Sequence, residues 1–150
     1  MKNAKKKGFT LVELLVVIAI LAILASVSVV GYTAFIDKAN ESNARTELTQ
    51  IRDFINAKFL PSNAFEVEVG TDTYTFSKQD GKLIISDSNG QTPDQQTITA
   101  IFHAIPEFAS LNADVQFASE DNGAKIVYIL GKTRATWNVT DGTIETTTIN

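Results

Sequence analysis

Cysteine is absent from the 150-residue sequence, and histidine and tryptophan each occur once. Without cysteine, the chain can form no disulfide and offers no thiolate ligand to a metal ion. His103 has neither a second histidine nor a cysteine with which to share a metal ion, so we expect it to have a structural role. The fold must therefore depend on packing and on hydrogen bonds.

Basic residues are scarce after the first eight positions. Four of the thirteen lysines and arginines lie in that segment, which contains no acid: Lys2, Lys5, Lys6 and Lys7. The remainder of the chain has nine basic and 17 acidic residues, a formal net charge of −8. Phosphate binding needs clustered lysine and arginine, so no direct nucleic-acid site is evident.

Signatures of catalysis are also missing. The sequence has no Ser-His-Asp order, no Gly-x-Ser-x-Gly elbow and no glycine-rich phosphate loop. Asp87-Ser88-Asn89-Gly90 resembles the start of a calcium loop, but the rest of the ligand pattern and its final glutamate are absent, which favours an ordinary turn. We predict that the chain is not an enzyme and has no catalytic residue, metal site or cofactor.

One long apolar run, residues 9–30, has only Thr10, Glu13, Ser26 and Ser28 as polar members. Its 22 residues are enough to span a bilayer as a helix. Its fifteen Phe, Leu, Ile and Val residues favour insertion by about 5 to 9 kcal/mol. The lysines before the run place the N-terminus in the cytoplasm, and the rest of the chain is exported.

Two simpler interpretations of this segment are a secretory signal peptide and a plain signal anchor. A signal peptide has an apolar core of about 7 to 15 residues, and Ala25-Ser26-Val27 is only a weak cleavage site. Neither interpretation accounts for Glu13, because an acid inside a membrane span is costly and needs a partner. Cleavage between Gly8 and Phe9 would create such a partner, the new terminal ammonium. In neighbouring helices staggered by about one turn, each Glu13 could pair with another copy's Phe9.

The stretch Lys6-Lys7-Gly8-Phe9-Thr10-Leu11-Val12-Glu13-Leu14 resembles the class III signal of type IV prepilins and pseudopilins. The resemblance implies that a membrane-embedded prepilin peptidase cuts after Gly8 and methylates Phe9, and that Glu13 acts in filament register and assembly. It implies a single-pass protein of the cytoplasmic membrane that later becomes part of an extracellular pilus. Its partners would be further copies in a helical filament, the assembly platform and minor pilins.

Many members of this family have a helix-kinking proline where this sequence has Val30 followed by Gly31. A kink or a melted turn at Gly31 is therefore an alternative that the sequence leaves open, since glycine costs about 1 kcal/mol in a helix interior.

Three functions are consistent with these features. The first is a structural pilus subunit, and the second is a pseudopilin of a type II secretion or competence apparatus. The third is a membrane-anchored binding module that keeps its leader and never polymerises. The head favours none of motility, adhesion or DNA uptake.

The predicted fold class is α+β and pilin-like, with a long N-terminal helix packed by its C-terminal half on an antiparallel sheet. The helix should run from about Thr10 to Leu60 and stop at Pro61. Residues 40–46 interrupt its apolar stripe and mark either a filament contact or solvated surface, of which solvated surface is favoured. The predicted parts are a leader (1–8), a transmembrane and filament-core helix (9–30), its amphipathic continuation (31–61) and a globular head (62–150).

In the head, period-two alternation and turn signals predict strands. A short helix should begin with Thr92 as N-cap and Pro93 at N1, and end near Pro106 or Leu111. Tyr74, Tyr128 and Trp137 are expected to pack in the sheet. The expected strands are Phe65 to Val69, Tyr74 to Phe76, Leu83 to Ile85, Val115 to Ala118, Lys125 to Leu130, Thr133 to Val139 and Thr143 to Ile149. Gln79-Asp80-Gly81 is the expected hairpin turn between the second and third of these strands, and Gly131-Lys132 and Asp141-Gly142 are expected two-residue turns.

Overall fold

A computed structural model of the protein describes residues 8–60 and 62–149. The basic leader residues 1–7 and the predicted helix stop at Pro61 lie outside the described residues. The elements are α1 (Leu11–Phe59), β1 (Ala64–Val69), β2 (Asp72–Gln79), β3 (Lys82–Ser86), α2 (Gln95–Ala104), β4 (Gln116–Glu120), β5 (Lys125–Leu130), β6 (Thr133–Asn138) and β7 (Ile144–Thr148). The predicted α+β class, a long N-terminal helix followed by antiparallel sheet, is confirmed.

The chain divides into two compact units between Ile36 and Asp37, within the bounds of α1. In the first unit, every residue from 8 to 36 whose side chain is described is exposed. The helical assignment continues through Gly31, so the alternative of a melted turn there is wrong.

The second unit contains two antiparallel sheets where the sequence predicted one. The sheet orders are β1-β2-β3 and β4-β5-β6-β7, with neighbours paired in chain order throughout. Residues 87–115, which include α2, separate β3 from β4 along the chain. Alternation identifies the buried face of a strand but not its partner, which is why one continuous sheet was expected.

The core of this unit is built on the C-terminal part of α1. Ala44, Leu48, Ile51 and Ile55 are at most 1% exposed and form one face of the helix. Ala44 lies inside the segment that was interpreted as solvated surface, so that interpretation is wrong at this position. A small apolar residue gives little periodic signal, although it packs closely.

A chain of aromatic contacts joins both sheets through α2. The ring centroid of Phe102 on α2 lies 5.9 Å from that of Phe76 on β2 and 4.4 Å from that of Phe117 on β4. Phe117 in turn lies 5.7 Å from Tyr128 on β5. These four side chains are fully buried, so the two sheets share one core.

The short helix begins two residues later than predicted. Its N-cap is Asp94, whose carboxylate oxygen Oδ1 accepts a 2.8 Å hydrogen bond from the Thr97 amide. Aspartate caps a helix at least as well as threonine, so the prediction of Thr92 as N-cap was wrong. The helix ends at Ala104, and a one-turn 3₁₀ helix follows at Pro106–Phe108.

The β6–β7 connection is longer than the predicted two-residue turn. Strand β6 ends at Asn138, and the amide of Val139 donates to the carbonyl oxygen of Ala124 at 2.9 Å, which continues the β5–β6 register for one residue beyond the strand. The Val139 side chain is buried. The predicted turn Gly131-Lys132 connects β5 and β6 directly. Of the predicted turn Gln79-Asp80-Gly81, only Asp80 and Gly81 connect β2 to β3, because Gln79 is the last residue of β2.

Candidate functional site

The start of α1 has the geometry of a capping box. The amide and the hydroxyl of Thr10 donate to Oε2 of Glu13 at 2.8 and 2.9 Å, and the Glu13 amide donates to the Thr10 hydroxyl at 3.3 Å. Two amides that have no partner within the helix are thereby satisfied reciprocally. Glu13 thus fixes the first turn of the helix that contains it.

Sequence reasoning missed this local role of Glu13. The Thr-x-x-Glu spacing at positions 10 to 13 is the signal that could have revealed it. Both bonds from Thr10 use Oε2, and within the described residues no hydrogen bond uses Oε1. Capping therefore leaves one carboxylate oxygen of Glu13 for another partner.

The peptide bond between Gly8 and Phe9 lies ahead of the helix in exposed chain. Phe9 is 92% exposed, and a Cβ added to Gly8 would meet no atom within 4 Å. Residues 8–10 have no regular secondary structure. The structure therefore places the predicted cleavage bond in accessible chain, one helical turn before Glu13.

Helix α1 is long and apolar enough to cross a membrane, judged by length and composition. An 18-residue stretch of it has a mean hydropathy of 3.0, and none of that stretch is buried. The hydroxyls of Ser26 and Ser28 donate to the carbonyl oxygens of Ile23 and Leu24, at 2.7 Å each. These polar side chains are satisfied within the helix, which suits an apolar environment.

The remaining candidate residues have local partners. The Asp87 carboxylate accepts hydrogen bonds from the amides of Asn89 and Gln91 at 2.9 and 2.8 Å, as in an ordinary Asx turn. The Nε2 atom of His103 lies 3.0 Å from the Val115 carbonyl oxygen. In the part of the chain that the structure describes, no three His, Cys, Asp or Glu side chains are grouped to hold a metal ion.

The family model described as the prokaryotic N-terminal methylation motif matches residues 3–29. The comparisons with curated proteins and with solved structures found no match. The motif implies processing by a prepilin peptidase, and the apolar helix is consistent with membrane anchoring. Residues 3–29 thus constitute the class III signal that type IV pilins and pseudopilins share.

Proposed function

We propose that this chain is the structural subunit of a type IV pilus filament. It is inserted in the cytoplasmic membrane as a prepilin, cut after Gly8 by the prepilin peptidase and N-methylated on Phe9. The mature subunits then polymerise through their apolar helices. One observation carries the proposal: the methylation motif at residues 3–29 overlaps a helix in which every side chain that the structure describes is exposed as far as Ile36.

So many exposed apolar side chains on one helix need an apolar environment in place of water. Leu11, Leu15 and Ile18 are 79%, 56% and 58% exposed, and their neighbours on every face of the helix are similar. Burying such surface contributes about 25 cal/mol per Å². The bilayer covers these side chains before assembly, and the helices of neighbouring subunits cover them in the filament.

Cleavage supplies the partner that Glu13 needs. It exposes the Phe9 ammonium, and methylation leaves its charge unchanged. The capping box holds the Glu13 carboxylate through Oε2 and leaves Oε1 free to meet the Phe9 ammonium of a neighbouring copy. A buried charge is tolerated when it is paired and hydrogen-bonded, so this contact would set the register of the helices.

The proposed organisation follows from these roles. Residues 1–8 form the cleaved leader and residues 9–30 form the transmembrane and filament-core helix. Residues 31–61 continue the helix, and residues 62–150 form the exported head. The assembly platform and minor pilins act as partners during assembly.

The test separates the two roles of Glu13 with matched variants. Glu13→Gln preserves a capping box but removes the charge, whereas Thr10→Val removes the capping hydroxyl and keeps the charge. We expect Glu13→Gln to lose surface filaments and Thr10→Val to retain them. Sheared filaments are imaged and this chain is quantified in them by mass spectrometry. Wild-type filament yield from Glu13→Gln would refute the register mechanism.

The intact mass of the mature chain provides the second measurement. We expect a chain that begins at Phe9 and carries one additional methyl group. An unprocessed chain in cells with an active prepilin peptidase would contradict the proposal. The same sheared material distinguishes the roles: a dominant subunit is a pilus subunit, whereas a trace amount indicates a pseudopilin or minor pilin.

A further inference from the structure

An open groove runs between the C-terminal end of α1, the edge strand β1 and the segment after α2. Its volume is about 340 Å³, and Phe54, Phe65 and Ile105 are among the apolar residues that line it. The exposed carboxylates of Glu66, Glu68 and Glu107 also line it. Lys58 lines it as well, and its Nζ atom lies 5.1 Å from the centroid of the Phe54 ring. This acidic groove has a net charge of −2 from these four side chains.

A second groove, of about 350 Å³, lies beside an earlier stretch of α1. It is lined by Lys38, Glu41, Ser42, Arg45 and Thr146. The Glu41 carboxylate accepts a 2.7 Å hydrogen bond from the Thr146 hydroxyl. Lys38 and Arg45 are exposed, and neither forms an ion pair within the described residues. This basic groove has a net charge of +1 from Lys38, Glu41 and Arg45, on a body whose net charge is strongly negative.

The two grooves lie on opposite flanks of α1. At about 100° per residue, the mean direction of Phe54 and Lys58 differs from that of Lys38 and Arg45 by about 170°. The buried face of Ala44, Leu48, Ile51 and Ile55 points between them. The centres of the two grooves are also about 20 Å apart along the helix axis, at 1.5 Å per residue.

We propose that the acidic groove of one copy docks on the basic groove of the next copy. This inference rests on the proposed filament function and adds the head contact that would accompany the helix contact. Two different and complementary patches on one molecule form a heterologous interface, and such an interface builds a helical filament when its rotation does not close. Because the two grooves lie on opposite flanks of one helix, each can engage a different copy at the same time, as such propagation requires.

Charge complementarity selects a second copy as the occupant. Lys38 and Arg45 lie about 10 Å apart along the helix, and Glu66 and Glu68 about 7 Å apart along the strand, a difference that long side chains can span. Each groove also contains one residue of the opposite charge, and these two match: in the docked pair, Lys58 of the acidic groove faces the groove that contains Glu41. Complementary charges of this kind determine partner and register.

Charge reversal tests the contact. We expect Lys38→Glu/Arg45→Glu and Glu66→Lys/Glu68→Lys each to reduce sheared filament by about tenfold or more, and the quadruple variant to restore it. The matched control, Lys78→Glu/Lys132→Glu, changes the charge equally at exposed positions outside both grooves, and its yield should equal that of the wild type. Mature mass and near-ultraviolet circular dichroism establish that each variant is processed and folded.

The absence of cysteine from the chain permits a direct second test. Arg45→Cys and Glu68→Cys in one chain should give a ladder of disulfide-linked multimers in filaments, while either single variant alone should give none. The two positions belong to grooves whose centres are about 20 Å apart along α1, whereas a disulfide joins Cα atoms less than about 7 Å apart, so a bond within one chain is excluded. Co-expressed single variants should give dimers only.

The outcomes separate this inference from the proposed function. Normal wild-type filaments, unchanged yields in both reversed variants and no ladder would overturn the groove contact and leave the filament function intact. A wild-type chain that forms no filaments would overturn both.

Discussion

The turn at residues 121–123 has three consecutive residues with positive φ. These angles are 52° at Asp121, 54° at Asn122 and 84° at Gly123. The turn lies between β3 of one sheet and the β4–β5 pair of the other. A Cβ on Gly123 would overlap the carbonyl oxygen of Leu83, so only glycine allows the two sheets to approach this closely.

We expect Gly123→Ala to reduce the free energy of unfolding by about 2 to 5 kcal/mol, because backbone strain and the overlap with Leu83 add together. Gly90→Ala is the matched control, since Gly90 has a φ of 78° but a Cβ there would meet no atom within 4 Å. Denaturant unfolding of both variants measures the difference. Equal losses would show that the contact with Leu83 has no effect.

At the scale of elements, three polar contacts attach α1 to the four-stranded sheet and its loop. Besides the bond from Thr146 to Glu41, the Tyr128 hydroxyl donates to Oε2 of Glu47 at 2.5 Å. The Arg52 guanidinium donates to the Gly142 carbonyl oxygen at 3.1 Å. Burial raises the pKa of Tyr128, and its hydrogen bond to Glu47 raises it further. The neutral phenol is thus held as a donor beside a carboxylate.

Tyr128→Phe should lower the free energy of unfolding by about 1.5 to 3 kcal/mol, since a hydrogen bond to a charged acceptor is lost. Tyr74→Phe is the control, because the Tyr74 hydroxyl makes no hydrogen bond within the described residues; its effect should stay below about 0.5 kcal/mol. A cycle with Glu47→Gln isolates the pair. A coupling energy of zero would contradict a role for this bond.

The length and type of α1 were predictable, because an apolar run is followed by a helical apolar stripe that resumes after residues 40–46. The observed bounds, Leu11–Phe59, differ from those expected by one residue at each end. Strand positions were also predictable from alternation. The division into two sheets was not, since it depends on contacts such as that of Gly123 with Leu83, which are distant in sequence. Such pairings are tertiary in origin and are not encoded by local propensity.

The sequence motif of the candidate site was predictable, but the hydrogen-bonding geometry of its side chains was not. The spacing of Gly8, Phe9 and Glu13 led to the class III signal, which the family model matches. The charge of Glu13 indicates a partner on another helix, whereas its capping role follows only from Thr10, three residues before it. The processing and register roles of these residues stay predictions.

At the scale of the whole molecule, three exposed carboxylates that are held by local hydrogen bonds have lowered pKa values in the folded state. The pKa of Asp94 is lowered by the Thr97 amide, that of Asp121 by the Lys125 ammonium and that of Asp141 chiefly by the Thr143 hydroxyl. Their ordinary pKa is 3.8. Because each pKa is lower in the folded state, these groups stabilise the fold above that value, and the stabilisation is lost as pH falls through the folded pKa.

We therefore expect the thermal stability of the full chain in detergent to fall as pH decreases below about 4. Asp94→Asn is the informative variant, because asparagine caps a helix about as well as aspartate but does not titrate. Its melting temperature at pH 7 should be close to that of the wild type, and the loss between about pH 4 and pH 3 should be smaller. Near-ultraviolet circular dichroism of buried Trp137 provides the measurement. An identical pH profile in both chains would show that the Asp94 cap does not contribute to acid unfolding.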